Sequence, residues 1–297
     1  MKKRYKFLIV LALFLGVAGY VVLIHVLPYS IIKPPRVTAI NYLLTDSISY
    51  DKVVVVSFDS TKLKGFHVKS ILKKPKASLI LVHGVGGCKE HFSNLAINLA
   101  KKGYDCWFFD NRAHGESDGL YSTYGYLEKK DIKAIVDTIK TKIPETKVAI
   151  WGNSLGGAIA IQAMEYDKRI QFGIVESTFT NLRQIVYDYQ KHFLYGIGIK
   201  FASNIALNQA GEIAKFNPDE VSPIQSVKHI TQPILISHGD QDENISVDYG
   251  HALFENLASK DKSFVLVKGG GHHNLAAIGG DAYKKKLMDF LEVHAYR

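Results

Sequence analysis

The sequence predicts an α/β protein with a mostly parallel central sheet and helices on both faces. Three observations predict it. Short apolar runs alternate with amphipathic ones, the apolar runs end in glycine-rich or acidic turns, and a single stretch interrupts this rhythm with helix alone. A β-branched run over 53–58 and a second run over 64–72, closed by Lys73-Lys74-Pro75-Lys76, read as an antiparallel hairpin. Strands follow over 77–83, 105–110, 147–151, 170–176, 233–238 and 263–267. Helices fall over 90–101, 126–143, 155–166 and 282–295. Active sites in such sheets lie beyond the carboxyl ends of the strands. The interrupting stretch, 180–230, is inserted between two strands and is expected to form a small helical cap over the site. Its Tyr187, Tyr189, Phe193, Tyr195 and Phe201 are expected to pack in the cap's own core.

The 297 residues are 47% hydrophobic and 22% charged, a composition that fills one catalytic-sized core and excludes a disordered chain. A formal charge of +9 does not imply a nucleic-acid partner, because Lys2, Lys3, Arg4 and Lys6 supply four of the charges ahead of any folded domain. Behind them, residues 7–27 carry no formally charged side chain. That run meets the roughly 20 residues a spanning helix needs and exceeds the roughly 7 to 15 of a signal peptide's apolar region. A cleavage site read at Val17-Ala18-Gly19 would lie inside the run. The expected organisation is a membrane anchor over 1–30 and a catalytic domain over 31–297. The basic flank stays cytoplasmic and the domain is exported, with only Lys33 and Arg36 on the far side to weaken the asymmetry. Cys88 and Cys106 have no metal-ligand spacing and are expected to be buried free thiols. No metal or cofactor is expected.

Gly152-Asn153-Ser154-Leu155-Gly156 is a G-x-S-x-G pattern lying between an apolar strand and the helix it opens, the setting of a nucleophilic serine on a sharp turn. Side chains at positions 152 and 156 would collide across that turn, and glycine at 157 lets the helix pack closely. A serine hydroxyl needs a histidine to take its proton and an acid to hold that histidine in one tautomer. Two strand ends downstream offer these groups: His238-Gly239-Asp240-Gln241-Asp242, with two carboxylates, and Gly270-Gly271-His272-His273, with two imidazoles.

These residues resemble the α/β-hydrolase superfamily, especially its Bem46-like and S33-peptidase-like branches. The resemblance covers most of 50–295. It rests on His83-Gly84, Asp110-Asn111-Arg112-Ala113-His114-Gly115-Glu116-Ser117, the elbow, Ser222-Pro223-Ile224, the acid loop and the Gly-x-Gly-His segment. It implies Ser154 as nucleophile, Asp242 as acid and His272 as base, with His273, Asp240 and Glu176 as the alternatives. The backbone N–H groups of Leu155 and Val85 are expected to form the oxyanion hole. His83, His114 and His238 are expected to be structural, and the remaining histidines to lie at the surface. Ala113 stands where the family often has glycine, so the loop after Asp110 is expected to differ in shape. The expected activity is hydrolysis of an ester, thioester or amide, an ester first, with an apolar acyl substrate. A peptidase and a non-catalytic scaffold are the alternatives.

Overall fold

The computed structural model describes residues 2–296. Its sheet has eight strands in the order β1-β2-β4-β3-β5-β6-β7-β8. These are β1 (Tyr50–Val56), β2 (Lys62–Val68), β3 (Ser78–Val82), β4 (Asp105–Phe109), β5 (Val148–Asn153), β6 (Ile170–Glu176), β7 (Ile234–Gly239) and β8 (Lys262–Val267). β2 pairs antiparallel with both neighbours, and from β4 to β8 every pairing is parallel. Parallel strands buried on both faces need apolar residues at successive positions. β3 and β4 are buried throughout.

The period of two sorts these residues into two cores. Ile80, Val82, Ile150 and Ile236 face α4 (Glu128–Lys142), α5 (Leu155–Tyr166) and α9 (Val247–Asn256). Leu79, Leu81, Ala149 and Leu235 face α3 (Ser93–Lys101) and α11 (Gly280–Tyr296). Between β6 and β7, α6 (Leu182–Phe193) and α7 (Lys200–Ala214) form the cap, followed by the short α8 (Pro223–Ser226). A further turn, α10 (Leu275–Ile278), follows β8.

Two expectations need correction. His67 and His294 are buried rather than at the surface. His67 lies on a strand flanked by two others, so its ring stacks on Trp107 at 3.8 Å and its Nε2 meets the Asp105 carboxylate at 3.1 Å. His294 faces inward from α11 against Phe290 and Phe172. The cap aromatics divide: Tyr189 packs in the cap core, but Phe193, Tyr195 and Phe201 project outward. Helix α9, which the apolar pattern did not single out, runs unbroken through Gly250. A Cβ at Gly250 would lie 2.7 Å from Nδ1 of the buried His238, so close helix–strand approach requires glycine there.

The N-terminal helix begins with α1 (Lys2–Val21), widens into a π-helical turn over Val22–Val26 and continues as α2 (Leu27–Ile32). Proline has no N–H to donate, and the widened turn accommodates Pro28 without ending the helix. The boundary expected at residue 30 therefore falls inside α2. Pro28 and Ile32 are buried, and Ile32 shares a core with Ala158 of α5 and with Leu207 and Ala210 of α7. The carbonyl of Ile32 accepts from Ser122 N at 2.8 Å, and the Tyr124 hydroxyl donates to the Ile31 carbonyl. Arg36 then donates to four carbonyls, those of His114, Gly115, Ser117 and Gly119, at 2.6–3.2 Å. Residues 28–36 thus touch the cap and the loops that follow β3 and β4.

Truncating a buried isoleucine leaves a cavity that typically costs about 2–5 kcal/mol. Ile32→Ala should accordingly lower the melting midpoint of the detergent-solubilised chain, whereas Ile40→Ala, at an exposed position, should not. Equal midpoints for the two variants would mean that α2 is not docked.

Candidate active site

β5 delivers the chain to Ser154, which sits at φ 55°, ψ −122° before α5 begins. A non-glycine residue held there carries about 1–3 kcal/mol of strain. Two hydrogen bonds hold it: Ser154 N donates to the Glu176 carbonyl at 2.9 Å, and Thr178 Oγ1 donates to the Ser154 carbonyl at 2.7 Å. The flanking glycines are steric necessities. A Cβ at Gly152 would lie 2.1 Å from the Gly156 carbonyl oxygen, and one at Gly156 would lie 2.0 Å from that of Val82. One at Gly157 would press on Thr178 at 2.9 Å.

The loops after β7 and β8 bring Asp242 and His272 to this turn. Ser154 Oγ lies 3.0 Å from His272 Nε2, and His272 Nδ1 lies 2.8 Å from Asp242 Oδ2. A carboxylate accepts only, so Nδ1 carries the proton and Nε2 is left to accept from the serine hydroxyl. The other carboxylate oxygen, Asp242 Oδ1, accepts from Asn244 N at 3.0 Å and Ile245 N at 2.9 Å. His238 Nε2 donates to the Ile245 carbonyl at 2.9 Å and stands 3.4 Å from Asp242 Oδ2. Burial alone would raise the Asp242 pKa. Hydrogen bonds from His238, His272 and the Ile245 N–H outweigh it and hold the carboxyl well below the ordinary range.

The alternatives lie close by in other arrangements. His273 is exposed, with its ring edge-on to that of His272 at 4.5 Å. Asp240 accepts from Gly269 N at 2.6 Å, and Gln241 N donates to the Gly270 carbonyl at 2.9 Å, so these residues fasten the acid loop to the histidine loop. Glu176 accepts from Trp151 Nε1 at 2.6 Å and from the Tyr283 hydroxyl, and burial raises its pKa.

Leu155 opens α5, so its N–H has no acceptor within the helix. Val85 lies in the loop after β3, and the adjoining Gly84 packs on Ser154, where a Cβ would come 3.1 Å from that of the serine. This loop is held from below. His83 Nδ1 donates to the Gly84 carbonyl at 2.8 Å, and His83 Nε2 accepts from Asn111 N at 3.0 Å. Accepting requires a neutral ring. Burial, reinforced by the neighbouring His114, pushes the His83 pKa down to about 3.

Lys89, which the sequence did not single out, pins the far end of the loop. Its N–H and its ammonium both donate to the fully buried Asp110 at 2.8 Å, and the ammonium also reaches Glu116 at 2.8 Å. The Asp110 segment is thus a brace rather than a chemical group. Asn111 holds His83, Arg112 forms a paired hydrogen bond with Asp131 at 2.7 and 2.6 Å, and Gly115 leaves room for the Asp110 carboxylate. Ala113 adopts φ 63°, the left-handed conformation that glycine favours.

The strand order, the elbow after β5 and the cap between β6 and β7 define an α/β-hydrolase fold. Esterase Pf2001 of Pyrococcus furiosus superposes with a TM-score of 0.73 at 24% identity, covering 89% of this chain and 99% of that one. The family described as serine aminopeptidase, S33, matches residues 73–222, just over half of the chain, and the chain belongs to that family. The α/β hydrolase domain-containing protein WAV2 of Arabidopsis thaliana is 24% identical over 258 residues, 84% of this chain and 80% of that protein. Lysophosphatidylserine lipase ABHD12 of Mus musculus is 30% identical over 196 residues, 63% of this chain and 47% of its own length.

The depressed Asp242 pKa makes a pH prediction. Below the 3.8 of an ordinary aspartate the unfolded chain holds a proton that the folded chain does not, so stability rises with pH across that window. The contribution of Asp242 is complete above about pH 4 and is lost as pH falls through the lower folded value. Melting midpoints followed from neutral pH into acid should therefore fall more steeply for the wild-type chain than for Asp242→Asn. Parallel curves would mean that these hydrogen bonds do not hold the carboxyl.

Proposed function

We propose that this protein is a membrane-anchored serine hydrolase that cleaves carboxylic esters through an acyl-enzyme on Ser154. The observation that carries the reading is the placement of one imidazole, His272, between the Ser154 hydroxyl at 3.0 Å and the Asp242 carboxylate at 2.8 Å. The mechanism follows from the donors and acceptors. Ser154 Oγ attacks the carbonyl carbon while His272 Nε2 takes its proton, and Asp242 stabilises the resulting imidazolium. The negative charge on the substrate oxygen is received by the N–H groups of Leu155 and Val85. On collapse the bond to the leaving oxygen breaks, and His272 returns the proton to it. Water, deprotonated by the same imidazole, then attacks the acyl carbon; the bond to Ser154 Oγ breaks, His272 returns the proton to that oxygen, and the acid is released. Every step uses groups of this chain.

Among the described residues, one helix, Arg4–Ile32, is long and apolar enough to cross a membrane; its mean hydropathy is 2.9 and none of its apolar window is buried. We assign residues 7–27 as the span, with the basic N-terminus cytoplasmic and the hydrolase domain on the opposite side. The domain takes in residues 31–297 with a cap over 180–230, and α2 joins it to the anchor. The peptidase reading uses the same nucleophile and differs in the bond cleaved; the name of the family supports it.

Purified full-length chain in detergent, assayed with p-nitrophenyl esters of graded acyl length and with aminoacyl p-nitroanilides, tests the reading. The expected result is ester turnover that Ser154→Ala and His272→Ala abolish. Asp242→Asn should reduce turnover by about 10⁴ through loss of tautomer control. His273→Ala should stay within about tenfold of the wild type, equivalent to less than about 1.4 kcal/mol of barrier. Turnover of anilides alone would favour the peptidase, and no serine-dependent turnover of either class would favour a scaffold.

A further inference from the structure

The joint between α6 and α7 exposes six apolar side chains in nine residues: Phe193, Leu194, Tyr195, Ile197, Ile199 and Phe201. Tyr195 is 99% exposed, Phe201 76% and Phe193 74%. The tip is nevertheless built. Gly196 N donates to the Lys191 carbonyl at 2.7 Å, Ile197 N to the Leu194 carbonyl at 3.0 Å, and Ile199 N to Gln190 Oε1 at 2.8 Å. Tyr195 takes a positive φ of 51°, an uncommon conformation for a bulky residue, and it points the ring away from the protein. Folded chains rarely leave a concentrated apolar surface to water, and such patches mark contact sites.

What covers this tip is indicated by its neighbour. Helix α7, which leaves the tip, packs along both α2 and the π-helical turn Val22–Val26 of the N-terminal helix. The helix Arg4–Ile32 has 29 residues. At 1.5 Å per residue it is about 43 Å long, against a hydrocarbon core of about 30 Å. If 7–27 spans the core, Val22–Val26 lies in the leaflet nearer the domain, and α7 packed against it stands at the membrane surface. Two lysines accompany the apolar side chains, Lys191 just before the tip and Lys200 within it, with ammoniums 5.9 and 6.0 Å from the Tyr187 ring centroid. Aromatic side chains with flanking cations are the composition that settles at a headgroup layer.

We propose that residues 193–201 are a second membrane-contacting element that inserts shallowly into the leaflet from which the anchor emerges. The occupant of the patch is lipid, and the proposal rests on the reading of 7–27 as a membrane span. The N-terminal helix and the tip together hold the domain in one orientation. Pro35, three residues beyond α2, lies against the loop that carries Val85, since a Cβ at Gly86 would be 3.4 Å from Pro35 Cγ. Cap and acid loop are joined as well: the Tyr249 hydroxyl of α9 donates to Asp188 of α6, and Ile245 packs in the cap core. A domain held this way meets amphiphilic esters resident in that leaflet.

The test places a thiol-reactive environment-sensitive fluorophore on Val10→Cys, in the anchor, and separately on Tyr195→Cys or Phe201→Cys, at the tip. The full chain is then reconstituted in vesicles whose lipids carry a nitroxide quencher either near the headgroup or near the chain end. Cys88 and Cys106 are buried and do not compete for the label, and a melting midpoint confirms that each labelled chain is folded. The expected result is quenching by the shallow probe of both tip labels, about 5–10 Å into the headgroup boundary, and of the Val10 label as well, which lies three residues, about 4.5 Å, inside the opposite face of the core. Quenching at Val10 with none at either tip position overturns the proposal and leaves the anchor standing. Lack of quenching at Val10 removes the anchor, and the proposal with it. Tip emission that follows protein density rather than quencher assigns the patch to a second copy of the chain and also overturns the proposal.

Discussion

The positive φ of Ser154 is the constraint on which the rest of the site depends. It turns the chain so sharply that the serine side chain leaves the sheet toward the His272 ring while its neighbours remain in the sheet and the helix. This geometry requires glycine at 152 and 156, brings the Leu155 N–H to a helix start, and lays the loop of Gly84 and Val85 against the serine. A turn of this kind persists only where the surroundings over-determine it. Here β3, β5 and β6 are largely buried parallel neighbours, and the backbone of Glu176 and the hydroxyl of Thr178 clamp the serine on either side.

Around that turn, charged and polar groups are spent on holding loops. Asp110, Lys89, His83 and Asn111 support one rim, while Asp240 and His238 support the other. Arg36 extends the same scheme to the N-terminal linker. Its guanidinium donates into a cluster of carbonyls in the loop after β4 and so ties the linker to that loop. Pro35, beside Arg36, lies against the loop that carries Val85, so the segment after the helix that we read as a membrane anchor touches both loops.

The α/β alternation, the elbow and the two strand-end loops were legible because each is dictated by local chemistry: buried parallel strands need apolar runs, and a strained nucleophile turn needs glycines. In the structure His272, not its neighbour His273, lies between Ser154 and Asp242, while Asp240 accepts from Gly269 N; the residues alone left both pairs open, and only the resemblance chose between them. What escaped was set by tertiary contact. Helix α9 carries a glycine, Gly250, that leaves room for the His238 ring. His67 depends on Trp107 and Asp105, both remote in sequence, and Lys89 looks like any surface lysine until Asp110 is placed beside it. The cap aromatics share a helical spacing, yet they divide between core and solvent because α6 ends at Phe193 and the chain turns outward.

The central claim is that this arrangement makes one hydroxyl, that of Ser154, unusually nucleophilic. Reaction of the folded chain with a fluorophosphonate, followed by peptide mass spectrometry, tests it most directly, because the reagent needs an activated serine and no particular substrate. The account predicts a single phosphonylated peptide containing Ser154, and no adduct when the chain is denatured before exposure. An adduct on a different serine, or none on the folded chain, would contradict it.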